Sequence, residues 1–355
     1  MESHSTDIEL LTQKLVNWGG LASTDIRFER LAGLSNSVWK VTVLPDKISP
    51  KSVVFRKFYH DSALVDRSTE NYIFSELAKT NLGPGLYQYS PEYRIEEYCE
   101  FTPVTPSSTR KKDIRRNIAK KLAALHATKM PKLDEKPLIL KQLEEGFYLK
   151  VFEKKLAATQ FDEQELRMMA EVRRIFFSEG ETEFLFSILP DDPESIVFSH
   201  NDLHAGNILQ LMETNDYLFI DFEFSSYNYR GFDIATLYLG ATIDYTHREP
   251  PYYTINEALF PEASEIEDFV KYYILFSSFA KGLNDDDAAS IIEDTAVLEE
   301  YLKNSDQSSK FNLCVDQLMN EVSVNVLLSN YYWAIWSVLL SKTQDSKFDY
   351  VSYAY

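Results

Sequence analysis

Four polar side chains between residues 202 and 223 could carry out a phosphoryl transfer. Asp202 is followed five residues later by Asn207, and the acidic residues Asp221 and Glu223 follow a short apolar run. Carboxylate and amide oxygens are the ligands that Mg²⁺ prefers, so Asn207, Asp221 and Glu223 are candidate metal ligands. Asp202 could instead accept a hydrogen bond from an attacking hydroxyl. This order of residues is also that of protein kinases, and it indicates transfer of a phosphoryl group from a nucleotide to a hydroxyl.

The alternative is that these are ordinary surface side chains, because a lone Asp and Asn five residues apart occur often by chance. The surrounding sequence weakens that alternative. Segments 195–199, 208–211 and 217–220 are short and apolar, which is typical of strands. Each candidate lies near the end of one of these segments, where a loop can present it. His200 in the same stretch is expected to hold the loop backbone rather than to act in catalysis.

Two further features in the first hundred residues indicate a nucleotide-binding site. The small polar residues of segment 33–37, among them Ser35 and Asn36, would let backbone N–H groups approach a phosphate, although hairpin turns use the same residue types. Arg56 lies within an otherwise apolar strand pattern, and Glu70 in the following predicted helix could orient it. Protein kinases carry a phosphate-binding lysine on the corresponding strand; the alternative is a solvent-facing strand arginine.

The elements around these residues predict an α+β protein with two lobes. A β-rich lobe over residues 1–102 would bind the nucleotide, with Glu97 and Cys99 at the hinge that meets adenine. A larger, mainly helical lobe over residues 103–355 would carry catalysis and substrate binding. In the first lobe we expect a helix at 7–18, strands within 26–44 and at 52–58, a helix at 67–79, and strands at 86–89 and 93–98. In the second we expect helices at 108–129, through most of 134–190, and at 264–281, 285–303 and 311–341.

Composition argues against several classes of partner. The net charge of −19 over 355 residues disfavours nucleic acids, which require basic surfaces, and favours a small cationic substrate. No run of 18 or more apolar residues occurs and the N-terminus lacks a secretory signal pattern, so neither stable membrane insertion nor export is expected. The two cysteines, Cys99 and Cys314, lie far apart in sequence, which is typical of a protein in the reducing cytoplasm.

From about Leu31 to the C-terminus, the sequence resembles the choline/ethanolamine kinase family, which has the protein-kinase-like fold of aminoglycoside phosphotransferases. The block at 221–234 carries most of the resemblance, and the shorter supporting matches are at 35–36, 54–56, 82–84, 94–96, 125–126 and 333–337. The resemblance implies ATP as co-substrate and Mg²⁺ as cofactor. It also implies Asp202 as the catalytic base, Asn207 and Asp221 as metal ligands, Glu223 as a further acid at the metal, and Arg56 as a ligand of the ATP phosphates.

For the acceptor, the resemblance implies choline, phosphorylated on its hydroxyl to phosphocholine in the first step of phosphatidylcholine synthesis by the CDP-choline route. A quaternary ammonium has no N–H to donate, so aromatic rings hold it best, by cation–π attraction of about 0.5–2 kcal/mol per ring. Trp333 and Trp336 are three residues apart and so share a helix face, although core packing is their alternative role. The implied substrate-binding residues are Phe224, Asp244, Tyr245, Trp333, Trp336 and Tyr353.

Two departures from the family pattern bear on the acceptor. Phe224 stands where many relatives have tyrosine, which keeps a ring but removes a hydroxyl. Gly240 and Ala241 stand where relatives carry an acidic and an aromatic residue, so an acid that would balance the substrate's positive charge is missing. Ethanolamine kinase is the nearest competing function, since a primary ammonium needs hydrogen-bond acceptors. A different small-molecule kinase of the same fold or a nucleotide-binding pseudokinase would also be compatible with the motifs. Dimers occur in the family, so a homodimer is a further expectation.

Overall fold

The computed structural model describes residues 4–31, 36–58, 65–144, 146–178, 180–280, 300, 309–342 and 348–355. The chain forms two compact units. The first comprises Met1–Thr102 with Leu209–Phe224, and the second comprises Pro103–Ile208 with Ser225–Tyr355.

The described part of the chain alternates short strands and helices before residue 112 and is mainly helical afterwards. The α-helices are α1 (Ser5–Lys14), α2 (Arg67–Ala78), α3 (Lys112–Ala127), α4 (Leu138–Glu144), α5 (Phe147–Ala158), α6 (Glu163–Phe176), α7 (Glu181–Ile188), α8 (Arg230–Gly240), α9 (Ala263–Ala280), α10 (Ser309–Leu340) and α11 (Tyr350–Ala354). The strands are β1 (Ile26–Arg30), β2 (Asn36–Val43), β3 (Ser52–Phe58), β4 (Leu86–Tyr89), β5 (Tyr93–Glu97), β6 (Phe101–Pro103), β7 (Ile196–Ser199), β8 (Ile208–Leu211), β9 (Tyr217–Phe219), β10 (Ser226–Tyr229), β11 (Ile243–Asp244) and β12 (Thr254–Ile255).

The first unit is built on a five-stranded antiparallel sheet in the order β1-β2-β3-β5-β4. Its core face carries fully buried Val41, Phe55 and Ile95, which pack with Trp18 that follows α1. Because successive strand residues point to opposite faces, Arg56 beside Phe55 lies on the other face of β3. The sheet therefore has an apolar face toward its own core, and Arg56 lies on its other face.

One segment departs from the contiguous division at residue 102 that the sequence suggested. Leu209–Phe224 follows the predicted catalytic residues in the chain, yet it belongs to the first unit. The N–H of Phe219 donates to the carbonyl of Leu82 at 3.1 Å, and the rings of Phe222 and Phe74 meet edge to face with centroids 6.1 Å apart. These long-range contacts attach the segment to the first unit, and the first unit therefore contains Asp221 and Glu223.

In the second unit, β7 and β10 pair antiparallel with Ser199 opposite Ser226. Helix α8 is buried along nearly its whole length. Gly231 at its start allows α10 to approach closely, because a Cβ at this position would lie 3.0 Å from the carbonyl oxygen of Glu321. The pairing of β7 and β10 and the burial of α8 fix the end of β7, from which the loop carrying Asp202 leaves.

The α+β fold class predicted from the sequence is confirmed, with a sheet in the first unit and a mainly helical second unit. The predicted helix at 285–303 lies outside the described residues apart from Glu300. In the part of the chain that the structure describes, no helix is long and apolar enough to cross a membrane.

Candidate active site

The loop at residues 200–207, which we name the catalytic loop, runs from β7 to β8 and brings Asp202 and Asn207 together. It includes Asn201 in the left-handed region (φ 68°) and ends in a short 3₁₀ turn, Ala205–Asn207. The side-chain amide of Asn207 donates to the backbone carbonyl of Asp202 at 2.9 Å and to its Oδ2 at 3.2 Å. The two predicted chemical residues of the loop are therefore directly bonded.

The catalytic loop is anchored by Asp233 of α8, which is fully buried. Its two carboxylate oxygens accept the backbone N–H groups of His200 and Asn201, each at 2.7 Å. His126 Nε2 lies 3.0 Å from Oδ2 of Asp233, and its Nδ1 lies 2.7 Å from the Tyr273 hydroxyl. Burial would raise the pKa of Asp233, but the bonds from His126 and from the His200 backbone hold it below its usual value. No role was predicted for Asp233, although it lies within the 221–234 block.

His204 is a second loop residue that the sequence interpretation did not include. Its Nε2 lies 3.9 Å from Oδ2 of Asp202, and its ring centroid lies 5.7 Å from that of Tyr245. Its Nδ1 accepts the backbone N–H of Gly206 at 3.1 Å and so caps the turn that presents Asn207. Burial, helped by the nearby imidazole of His200, lowers the pKa of His204 to about 4, which keeps the ring neutral near pH 7.

Four aromatic residues, Tyr245, Tyr253, Phe348 and Tyr353, form what we name the tyrosine cluster. The hydroxyls of Tyr245 and Tyr353 lie 3.2 Å apart. The ring of Phe348 lies 6.2 Å from Tyr245, 5.3 Å from Tyr353 and 5.0 Å from Tyr253, measured between centroids. Burial, opposed by the bond to Tyr245 and aided by the negative charge of Asp202, raises the pKa of Tyr353 to about 12. The sequence had suggested Tyr245 and Tyr353 but not Tyr253 or Phe348.

The other predicted acceptor-site residues lie around a different ring or at the surface. Trp333 and Trp336 of α10 both contact Tyr332, with centroid distances of 5.2 and 6.0 Å. Asp244 is exposed, and its Oδ1 accepts from the backbone N–H and the hydroxyl of Thr246 at 2.8 and 2.7 Å. These bonds lower the pKa of Asp244. Among the predicted aromatic residues, Trp333 and Trp336 thus share contacts with Tyr332, and Tyr245 and Tyr353 contact each other.

In the first unit, Arg56 belongs to a network of charged side chains. Its Nε donates to Glu96 at 3.0 Å, and its Nη1 lies 3.5 Å from Oδ1 of Asp221. Burial alone would lower the pKa of Arg56, but the surrounding carboxylates, Glu96 first and Asp221 next, raise it. The predicted phosphate-binding cation is therefore held permanently charged, beside one of the predicted metal ligands.

The structure corrects the partner expected for Arg56. Glu70 of α2 instead accepts from Arg94 at 3.0 Å and from Arg67 at 2.6 Å. The register of β3 and β5 explains this difference, because it places Arg56 opposite Arg94 and so brings Glu96, two residues further along β5, within reach of Arg56. We name these five residues, together with Asp221 and Glu223, the arginine network.

Glu223 and Asn36 meet at Arg67, which the sequence interpretation had left without a role. Arg67 donates through Nη1 to Glu223 at 3.2 Å and through Nη2 to Oδ1 of Asn36 at 3.1 Å. The amide of Asn36 lies 3.5 Å from Glu223. Asn36 and Glu223 are thus brought together, whereas the predicted phosphate-loop residue Ser35 lies outside the described residues.

The remaining nucleotide-site predictions fall at the end of β5 and beyond. Glu97 is exposed, and its carboxylate accepts the backbone N–H of Gly85 at 3.0 Å, which ties down the start of β4. Cys99 is half-buried; burial, together with the charge of Glu97, raises the pKa of its thiol to about 11, so the thiol stays protonated. Phe224, predicted at the acceptor site, is half-buried in the turn after Glu223.

The predicted metal ligands fit Mg²⁺ by the chemistry of their donor atoms. Asp221 and Glu223 supply carboxylate oxygens, and Asn207 supplies an amide oxygen, since its Nδ2 is the atom that bonds Asp202. Asp221 lies in the left-handed region, with φ at 67°. Within the described residues, no group of three or more His, Cys, Asp or Glu side chains could hold a metal.

Comparison with solved structures defines the class of protein. The chain matches the crystal structure of choline kinase from Cryptosporidium parvum Iowa II with a TM-score of 0.72 and 21% identity, over 99% of this chain and 92% of that one. Plasmodium vivax ethanolamine kinase matches with a TM-score of 0.66 and 18% identity, over 99% and 92% of the two chains. The fold is therefore the bilobal protein-kinase-like fold expected from the sequence.

Sequence comparison defines the family within that class. Residues 28–355 match the family model for choline/ethanolamine kinase. A choline/ethanolamine kinase of Homo sapiens is 30% identical over 331 residues, which cover 91% of this chain and 75% of that protein. The chain belongs to the choline/ethanolamine kinase family and is a small-molecule kinase that transfers a phosphoryl group to an alcohol.

Proposed function

We propose that the chain transfers the γ-phosphoryl group of ATP to the hydroxyl of choline, giving phosphocholine and ADP, with Mg²⁺ as cofactor. The observation that carries this proposal is the place of the tyrosine cluster. Tyr245 packs on His204, which lies 3.9 Å from Asp202, and the charge of Asp202 acts on Tyr353. A carboxylate that can receive a hydroxyl proton thus lies near aromatic rings that suit a quaternary ammonium.

Asp202 would accept the hydrogen bond of the choline hydroxyl and orient its oxygen toward the γ-phosphorus. As the new O–P bond forms, the bond from the γ-phosphorus to the leaving oxygen of ADP breaks and the hydroxyl proton passes to Asp202. Asn207 holds Asp202 in place through the bonds at 2.9 and 3.2 Å. Arg56, kept charged by its carboxylate neighbours, would bind phosphate oxygens.

Mg²⁺ would supply neutralisation of the phosphate charge when bound. The motif assigns Asp221, Glu223 and Asn207 as its ligands. Asp221 and Glu223 are each paired with an arginine, Arg56 and Arg67.

Choline is preferred over ethanolamine because the rings of the tyrosine cluster suit a trimethylammonium group, and because Asp244 already accepts two hydrogen bonds from Thr246. Ethanolamine is the second candidate, since the hydroxyl oxygens of Tyr245 and Tyr353 could accept N–H bonds from a primary ammonium. With choline as acceptor, the reaction would be the first step of phosphatidylcholine synthesis, as the family resemblance implies, and the cytoplasm is the location expected from the two distant cysteines.

The proposal is tested by measuring ADP release, coupled to NADH oxidation, with ethanolamine, its N-methyl and N,N-dimethyl derivatives, and choline. We expect kcat/KM to rise with each added methyl group. Asp202→Asn should lower kcat by about 10²–10⁴-fold, and chelation by EDTA should abolish turnover. A rate that falls with methylation would favour ethanolamine as the substrate. Absence of ADP release with all four acceptors would contradict the proposed function.

A further inference from the structure

The side chain of His204 lies over two glycines. A Cβ on Gly206 would lie 2.8 Å from Cε1 of the imidazole, and a Cβ on Gly240 would lie 2.7 Å from Cβ of His204. Side chains at either position would therefore displace His204. Gly240 is where the family pattern has an acid, so in this chain His204 occupies space that any side chain at position 240 would need.

The hydrogen bond to Gly206 determines which ring nitrogen of His204 carries the proton. A backbone N–H can only donate, so Nδ1, which lies 3.1 Å from the nitrogen of Gly206, is the acceptor. In the neutral ring the proton is then on Nε2. The lowered pKa of His204, about 4, agrees with a neutral ring near pH 7.

Nε2 of His204 and Nδ2 of Asn207 both face the same oxygen of Asp202. The distances to Oδ2 are 3.9 Å and 3.2 Å. The longer distance exceeds a hydrogen bond, and closing it requires an approach of about 1 Å. Hydrogen bonds of this kind are often long in an active site without substrate and tighten when substrate binds.

We propose that His204 is a positioning residue for the transfer reaction: its neutral Nε2–H, held between Asp202 and Tyr245, fixes the rotation of the Asp202 carboxylate relative to the acceptor hydroxyl. The inference rests on the proposed function. It assigns the two ring nitrogens separate tasks, since Nδ1 holds the turn that presents Asn207 and Nε2 orients Asp202. It also accounts for Gly240, which leaves room for the imidazole.

Two substitutions separate these tasks. The side-chain oxygen of asparagine can replace Nδ1, so His204→Asn keeps an acceptor for the Gly206 N–H but cannot reach Asp202. The amide of glutamine can replace Nε2–H, so His204→Gln keeps a donor toward Asp202. We expect His204→Asn to lower kcat with choline by about tenfold or more, since a small misplacement of a reacting group has effects of this size. His204→Gln should retain kcat within about threefold, a difference below 1 kcal/mol, and neither variant should change KM for ATP.

The matched controls are His247→Asn and His247→Gln, because His247 is exposed. The proposal is overturned if His204→Gln loses as much kcat as His204→Asn, or more, since that result would leave His204 only its role in the turn. Wild-type turnover is measured first with each amino alcohol, so failure of the proposed function is seen separately. The ¹⁵N chemical shifts of the imidazole provide a readout without turnover. At pH 7 they should show a proton on Nε2 only and should move in Asp202→Asn; a proton on Nδ1, or no movement, overturns the assignment.

Discussion

The catalytic loop of the second unit and the arginine network of the first both surround candidate reactive groups, but they hold them by different contacts. In the loop, the buried carboxylate of Asp233 accepts two consecutive backbone N–H groups at 2.7 Å. In the network, Arg56 and Glu96 bond side chain to side chain at 3.0 Å. An anchor on the backbone fixes the path of the chain and hence the position of Asp202. Side-chain ion pairs fix charge instead, and their partners can be exchanged.

The net charge of the network shows why the exchange of ion-pair partners matters. Three arginines, Arg56, Arg67 and Arg94, meet four acids, Glu70, Glu96, Asp221 and Glu223, so its formal charge is −1. This network alone does not form a cationic site for a nucleotide. Under the proposed function, Asp221 and Glu223 would hold Mg²⁺, and their present partners Arg56 and Arg67 would then be available to phosphate oxygens. The backbone anchor of the loop on Asp233 requires no exchange of partners.

Asp233→Asn tests the loop side of this comparison and should have the largest effect. An asparagine has only one acceptor oxygen, whereas Asp233 meets the N–H groups of His200 and Asn201 and the Nε2 of His126. Breaking a buried charged contact of this kind should lower the free energy of unfolding by about 3–5 kcal/mol. Urea denaturation followed by circular dichroism measures the change.

The matched control is Glu213→Gln, which removes the same charge from an exposed residue and should change stability by less than about 0.5 kcal/mol. If Asp233→Asn were as stable as this control, the loop would not depend on its anchor and the contrast with the network would fail.

Arg56→Ala tests the network side and should affect function more than stability. Glu96 also accepts from Arg94 at 2.8 Å, a bond that does not involve Arg56. Loss of hydrogen bonds to charged phosphate should lower kcat/KM for ATP by about 10–100-fold, equivalent to roughly 1.5–3 kcal/mol. Steady-state kinetics with varied ATP and urea denaturation measure the two effects.

The control for loss of one positive charge is Arg27→Ala, because Arg27 is an exposed residue of β1 in the same sheet. The loss in unfolding free energy is compared with the loss in kcat/KM for ATP expressed as a free energy. If the loss in unfolding free energy is the larger, Arg56 is a structural residue and its charge is not available to phosphate.

The elements that carry the site were predictable where local pattern decides structure. The mainly apolar run at residues 52–58 predicted β3 with the observed bounds, and the helix expected at 67–79 is α2 (Arg67–Ala78). The spacing of Asp202 and Asn207 after an apolar segment placed both on one loop. These features depend on residues that are close together in sequence. Hydrophobic periodicity and turn-forming residues predict such local structure.

The features that were missed depend on pairing between distant segments. The partner of Arg56 follows from the register of β3 with β5, which no single segment encodes. Helix α8 was not predicted because it is buried on nearly all sides, so it lacks the alternation of apolar and polar faces that marks a surface helix. Tyr253 and Phe348 join Tyr245 and Tyr353 only through tertiary contacts.

The catalytic loop and the arginine network should lose their contributions to stability in different pH ranges. The folded pKa of His204 is about 4, below its ordinary value of 6.5, so between these values the unfolded chain binds a proton that the folded chain does not. Stability contributed by His204 is therefore present above pH 6.5 and is lost as pH falls toward 4, with a slope of at most about 1.4 kcal/mol per pH unit. In the network, burial would raise the pKa of Glu96, but Arg56 and Arg94 hold it below 4.5, so its contribution is lost only below pH 4.5.

Urea denaturation from pH 7 to below pH 4.5 measures this difference. His204→Gln should show a shallower fall in unfolding free energy than the wild type over this range, whereas Glu96→Gln should follow the wild-type slope until the pH drops below about 4.5. Parallel curves for the wild type and His204→Gln would mean that the imidazole titrates normally in the folded protein.

Tyr245→Phe should have the smallest effect and sharpens the assignment of the acceptor. The substitution removes the hydroxyl that lies 3.2 Å from Tyr353 but keeps the ring, so the free energy of unfolding should fall by only about 0.5–1.5 kcal/mol. If the ring holds a quaternary ammonium by cation–π attraction, KM for choline should change less than about threefold, whereas Tyr245→Ala should raise it by about 2–30-fold, the equivalent of 0.5–2 kcal/mol. An equal rise in both variants would show that the hydroxyl does the binding. The acceptor site would then use hydrogen bonds, as a primary ammonium requires, and ethanolamine would replace choline as the preferred substrate.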